Sequence, residues 1–298
     1  MDLTMPSTKS KTTPAYSWQF DGIGTKWEIA SARELNAALK QYIADEIESF
    51  DAVYSRFRAD SLVQKIAQAP GEYTFPKSAE ILFDFYDELW EVSHGSVNPL
   101  VGDALVAAGY DEVYSLKQRS GAAPALDYNK TLQRSGSKLL VTEKTVIDIG
   151  AIGKGFLVDY IAELLKKAGH ADVVVDGGGD MRICGTMNEK VGLEHPLNTG
   201  QVIGIVDIQN KALCASATNR RAWGDWHHVI NAQTGKPTEE IIATWVIADS
   251  TMIADGLATA LFFVSPQTFA GRYTYEYMRM HADGSVEYSD YFAKGVFS

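Results

Sequence analysis

Asp148-Ile149-Gly150-Ala151-Ile152-Gly153-Lys154-Gly155 opens a stretch that runs through an apolar helix to Val173-Val174-Val175-Asp176-Gly177-Gly178-Gly179-Asp180 and on to Gly185. Two glycine turns bracket one helix and one strand, and each turn carries acidic residues. Glycine takes positive φ and lets the backbone approach a ligand closely. Asp148 and Asp180 beside such turns point to a phosphate ligand, a metal ion, or both. The helix between the turns has Leu157, Ile161, Leu164, Leu165 and Ala168 on one face, and Gly169 is its stop. Lys166 and Lys167 suit its C-terminal dipole.

The chain around this stretch has 298 residues, 46% of them apolar, enough for one large core. It carries 27 basic against 38 acidic residues, a net charge of -11. No Lys/Arg-rich block offsets that balance, which excludes a nucleic-acid binder. Phosphate recognition would rest on backbone amides, a lysine and a divalent cation. Cys184 and Cys214 lack the spacing of a zinc site or a disulfide framework. Met1 to Ser17 is polar, with no apolar core of an export signal and no cysteine for lipidation. The expectation is a cytoplasmic protein without a membrane anchor, made of a disordered leader over residues 1–16 and a single domain over 17–298.

Outward from the central stretch, Ser17 to Ala30 reads as a strand pair turning at Asp21 to Thr25. Ser31-Ala32-Arg33-Glu34 has the form of a capping box before a helix bearing Leu35, Leu39, Ile43, Ile47, Phe50 and Tyr54. A shorter helix begins at Asp60 or Ser61. Pro76 and Ser78 open another, with Ile81, Phe85, Leu89 and Val92 as its buried stripe. Leu139 to Val141 and Thr145 to Ile147 read as a hairpin around Glu143-Lys144. Gln201 to Asp207, Ala212 to Ala217, Trp223 to Ile230 and Thr244 to Ala248 read as strands. Asp249 or Ser250 caps a last helix, Thr251 to Phe263, and strands near Tyr273, Tyr275 and Tyr288 close the sheet. Helices gathered in the first half and strands in the second give an α+β class, with a mixed, largely antiparallel sheet flanked by helices.

Four places carry chemistry. Gly150, Gly153 and Gly155 present amides where a helix begins, and Lys154 adds charge, an anion site without the spacing of a Walker loop or a dinucleotide fingerprint. Asp255 and Thr259, four apart, share a helix face and offer hard oxygens suited to Mg²⁺. His228, in His227-His228, is a candidate for proton transfer. Asp176 to Asp180 forms a second backbone-rich turn. Each has a plain alternative as a tight turn, a helix cap or a polar strand end.

Taken together, Asp148 to Phe156, Gly178-Gly179-Asp180-Met181-Arg182, His228 to Gly235 and Ala254 to Ala260 occur in the order seen in the ApbE family of FAD:protein FMN transferases, which the chain resembles. Gly22-Ile23-Gly24-Thr25, Ser55-Arg56-Phe57-Arg58 and Ser96 to Gly102 extend the resemblance over roughly Phe20 to Phe263. It implies a T-fold-like α+β architecture and an enzyme that binds FAD and Mg²⁺. Such an enzyme transfers FMN to a Ser or Thr hydroxyl of a target flavoprotein and releases AMP. Carried over by motif, the metal ligands are the Ala151 carbonyl with Asp255 and Thr259. FAD contacts Ile23, Phe57, Ser96, Val97, Asn98, Asp148, Lys154 and Ile230, and His228 or Asp255 takes the acceptor proton. Departures from the family pattern are Asn98 for Asp, Leu100 for Thr, and Asn231-Ala232 for Asp-Pro. An FAD pyrophosphatase and a non-catalytic FAD-binding protein are the alternative functions.

Overall fold

The computed structural model describes residues 14–297, apart from 120 and 122. An eight-stranded sheet runs through it, made of β1 (Tyr16–Gly22), β2 (Thr25–Ser31), β3 (Val173–Gly177), β4 (Met181–Ile183), β5 (Ala212–Ala217), β6 (Ile241–Ala248), β7 (Tyr275–His281) and β8 (Val286–Tyr288). The strands lie in the sheet in chain order, and every neighbouring pair is antiparallel. The expected α+β class with a largely antiparallel sheet therefore holds. Strand alternation splits the apolar residues between two faces. Ile29, Val175, Ala212 and Ala248 share one face, while Ala30, Val174, Leu213 and Ile247 share the other.

Four long helices cover the first face: α1 (Ala37–Tyr54), α2 (Ala79–Val92), α3 (Gly153–Lys167) and α4 (Thr251–Ala260). The hairpin of Asn188–Glu194 with Val202–Gln209 covers the second, through Leu193, Val206 and Ile208 with Phe292. No helix among the described residues is long and apolar enough to cross a membrane.

Several local expectations are corrected. Ser31 does not cap α1, because it is paired in the sheet with Val173; Asn36 caps it, its side chain accepting from the Leu39 amide. Of the expected stripe on α2, Phe85, Leu89 and Val92 are buried but Ile81 is 60% exposed, and Leu82 and Tyr86 complete the buried face. Thr145 to Ile147 is not a strand. Thr145 Oγ1 and the Val146 amide bond to Asp103, while Lys138–Val141 pairs with Leu132–Ser135 and Gly71–Thr74. Trp223 to Ile230 breaks at Gly224 (φ 55) into a tight turn pairing Trp223 with Trp226. Helix α4 is capped by Ser250 and ends at Ala260. Of the expected leader, residues 1–13 lie outside the described residues, and Tyr16 already belongs to β1.

The pairing of α3 with α4 positions the site. Asp159 of α3 takes the Thr251 and Met252 amides at 2.9 and 3.0 Å and the Ser250 hydroxyl at 2.7 Å. It thus supplies the negative charge that the N-terminus of α4 favours. One turn earlier, the Gly155 amide donates to Asp255 Oδ2 at 2.9 Å. That amide is one of the helix-start donors without an intrahelical acceptor. A Cβ on Gly155 would stand 2.4 Å from the Thr251 carbonyl oxygen and 2.8 Å from Asp255 Cβ. Backbone cannot move aside as a flexible side chain can, so Gly155→Ala should force the helices apart and cost about 2–3 kcal/mol or more. Urea unfolding checks this, and a variant as stable as the parent would contradict the close crossing.

Candidate active site

The turn before α3 forms one wall. Asp148 Oδ1 accepts the Gly150 amide at 2.6 Å, and Arg56 Nε donates to Oδ2 at 2.5 Å. Arg56 is 3% exposed; Nη1 donates to the Tyr110 carbonyl at 2.7 Å, and Nη2 has no partner among the described residues. The Tyr86 hydroxyl donates to the Asp148 carbonyl at 3.3 Å. Burial, with the charges of Asp148 and Asp255, holds that phenol protonated, its pKa well above the ordinary value. Between these anchors the chain brings the Ala151 carbonyl oxygen to 3.5 Å from Thr259 Oγ1.

Asp255 lies one turn before Thr259 on α4 and is 4% exposed. Burial pushes its carboxyl up to about 6, against the pull of Lys154 and the Gly155 amide. Among the described residues it enters no ion pair, so its charge is only partly compensated. A carboxylate, a hydroxyl and a carbonyl converging here are the hard donor set Mg²⁺ takes, and a cation would supply the missing charge. No group of three or more His, Cys, Asp or Glu side chains able to hold a metal occurs among the described residues. The fit therefore rests on this mixed oxygen set.

The second glycine turn closes on the first. Lys154 Nζ donates to Oδ2 of Asp180, which is 1% exposed. Gly178 and Gly179 take φ of 68 and 98, and a Cβ on Gly178 would lie 2.2 Å from Thr25 Oγ1. The β1–β2 turn thus packs on the β3–β4 turn, which brings Ile23 to the same end of the sheet. Ile23 itself sits at φ 43, a strained value for a β-branched residue.

A third part is aromatic. Phe57 and Ile230 join Tyr110, Leu105, Trp223 and Trp226 in one apolar cluster. The Arg56 guanidinium lies 4.1 Å from the Phe57 ring centre and 4.5 Å from that of Tyr110, and Arg221 also faces Tyr110. Tyr114 stacks on Phe57 at 4.8 Å between ring centres, with an interplanar angle of 16°. His228 follows Arg221 through its amide, which donates to the Arg221 carbonyl at 3.1 Å. Its Nδ1 is enclosed without a partner among the described residues. Burial, then the Arg221 and His227 charges, lowers its pKa to about 3, with Asp148 acting weakly the other way.

Of the residues expected from sequence, Asp148, Ala151, Lys154, Asp255 and Thr259 gather around the α3 start, and Phe57 and Ile230 meet in the aromatic part. Ser96, Val97 and Asn98 are buried behind it. Asn98 Oδ1 takes the Leu100 amide and Nδ2 donates to the Leu126 carbonyl, while Ser96 braces Asn231 and Ala232. Both polar atoms of Asn98 are spent inside the fold, so it shapes the wall. Arg56, Tyr110, Arg221 and Trp223 carried no assignment from sequence. Only Arg56 had a signal, a cation placed between Ser55 and Phe57 at the end of an amphipathic helix.

The sequence profile of the ApbE family matches residues 23–277. The chain belongs to the ApbE family. It is 24% identical over 294 residues to a FAD:protein FMN transferase of Klebsiella pneumoniae (strain 342), covering 87% of this chain and 83% of that one. It is 22% identical over 273 residues to one from Escherichia coli (strain K12), with coverages of 82% and 77%. The fold matches the flavin transferase ApbE from Vibrio cholerae with a TM-score of 0.77 at 20% identity, covering 94% of this chain and 99% of the other. It matches an ApbE protein from Thermotoga maritima at 0.80, again at 20% identity, over 95% and 99%. These ApbE structures confirm the α+β architecture.

The depressed His228 pKa has a consequence for stability. The unfolded chain binds this proton first, so the stability held by the neutral ring is complete above about pH 6.5 and falls as pH drops toward 3. Urea unfolding of the parent and of His228→Asn should therefore diverge on acidification, by up to about 1.4 kcal/mol per pH unit, the parent losing more. Parallel losses would contradict the enclosed neutral ring.

Proposed function

We propose that this site transfers the FMN moiety of FAD to a Ser or Thr hydroxyl of a target flavoprotein. The hydroxyl oxygen bonds to the FMN phosphorus, the bond from that phosphorus to the bridging oxygen breaks, and AMP leaves with that oxygen. The observation that carries the reading is the meeting of the Ala151 carbonyl, Thr259 hydroxyl and Asp255 carboxylate beside the amide-rich start of α3. Relatives named FAD:protein FMN transferase, aligned over most of both chains, support it.

Mg²⁺ held by Ala151, Asp255 and Thr259 would supply charge neutralisation on the pyrophosphate. The chain's own residues do the rest. The Ala151 and Lys154 amides, the ones in this turn with no acceptor among the described residues, and the Lys154 ammonium receive phosphate oxygens, which developing charge makes better acceptors. Asp148, pinned by Arg56 and Gly150, keeps the turn in that shape. Phe57, Ile230 and Tyr110 offer the apolar wall for the isoalloxazine ring, with Ile23 and the 96–98 turn bordering it. Tyr114, stacked on Phe57, extends this wall. His228, neutral with Nδ1 unpartnered, takes the acceptor proton, since Asp255 is committed to the Gly155 amide and the cation. A phosphate anion beside it raises its proton affinity. The main sheet draws strands from Tyr16 to Tyr288, which supports one domain over residues 17–298.

The test is to incubate the protein with FAD, Mg²⁺ and an acceptor flavoprotein domain and follow covalent flavin fluorescence and AMP. Covalent flavin on the target is the expected result. AMP with free FMN and no labelled target would replace transfer by FAD hydrolysis, and bound FAD with neither product would leave a carrier. Asp255→Asn keeps an acceptor for the Gly155 amide while removing the charge. It should lose transfer by about a hundredfold or more yet change the unfolding free energy by less than about 1 kcal/mol. Equal loss of folding and activity would contradict a metal role.

A further inference from the structure

The turn from Gly177 to Asp180 has so far only packed beside the site. Its construction presents one carboxylate. The Gly177 amide donates to the Asp180 carbonyl at 2.9 Å, and the Gly179 amide donates to Asp176 Oδ1 at 2.7 Å. Two successive glycines at positive φ then turn the chain so that Asp180 points inward. At 1% exposure this charge requires a partner. Among the described residues that partner is Lys154 alone, whose side chain is 26% exposed. The lysine thus links a buried carboxylate to the solvent-exposed side of the site, from the first turn of α3.

We propose that Asp180 is a positioning residue for the transfer, fixing the Lys154 ammonium where the pyrophosphate charge develops. This rests on the reading of the site given above. A free lysine swings on a four-carbon stem and spends its donors on water. Tethered through one of three donors, Lys154 keeps two for phosphate oxygens and loses no further freedom at the moment of reaction. The same carboxylate repels a bound anion, so its benefit falls on turnover rather than on ground-state affinity for FAD.

The experiment compares Asp180→Asn, Asp180→Glu, Lys154→Met and the Asp180→Asn/Lys154→Met double variant in the full chain. FAD affinity is read by flavin fluorescence, and kcat by covalent FMN transfer to the acceptor flavoprotein. Asp180→Asn should lower kcat about tenfold or more while FAD affinity stays within about threefold of the parent. It should add no further loss in the Lys154→Met background, and Asp180→Glu should recover part of the rate. An unchanged kcat in Asp180→Asn, losses that multiply in the double variant, or kcat, affinity and melting temperature falling together would overturn the positioning role. A parent protein that binds FAD and transfers no FMN would overturn the functional reading, and this proposal with it.

Discussion

The hydrogen bond from the Gly155 amide to the Asp255 carboxylate is the contact on which the rest depends. It exists only because Gly155 has no Cβ to keep α4 away. Asp159 repeats the logic one turn on, capping α4 from the side of α3. Two helices far apart in sequence are thereby held so that the Ala151 carbonyl and the Thr259 hydroxyl face each other. The sheet beneath supplies the rigidity, with β3 and β5 carrying the buried residues on which α3 and α4 rest.

Charge balance follows from that arrangement. Two acids of the site are paired, the half-buried Asp148 with Arg56 and the buried Asp180 with Lys154. Asp255 has an amide and a share of the Lys154 field, and burial still raises its pKa to about 6. An acidic chain with a carboxylate left short of countercharge beside a helix start is suited to a divalent cation and a phosphorylated ligand together. Either alone would leave one side of the balance open.

How much of this was legible in sequence varied with the kind of interaction involved. Local chemistry showed clearly: glycines at turns, Gly169 just past the end of α3, a helix start narrowed to Asp60 or Ser61 and a cap to Asp249 or Ser250, and the apolar run Val173 to Val175 as a buried strand. Ser31 misled because its capping-box pattern is real, yet pairing with Val173 outweighs a local hydrogen bond. The stripe of α2 held at Phe85, Leu89 and Val92 and failed at Ile81 in the first turn, where Leu82 turns inward instead. The oxygens of Asp255 and Thr259 were readable as a motif, and Asp180 and Arg56 lay within quoted motifs, while what Asp180, Arg56 and Tyr110 bind was not readable. Their roles come from partners such as Lys154 and Asp148, which only the folded chain brings near.

The most direct test is a crystal grown with FAD and Mn²⁺ in place of Mg²⁺, with anomalous diffraction locating the ion. A single site is predicted within about 2.0–2.3 Å of the Ala151 carbonyl, an Asp255 carboxylate oxygen and Thr259 Oγ1, touching the FAD pyrophosphate. An ion bound elsewhere, or FAD seated with its phosphates away from the α3 start, would contradict it.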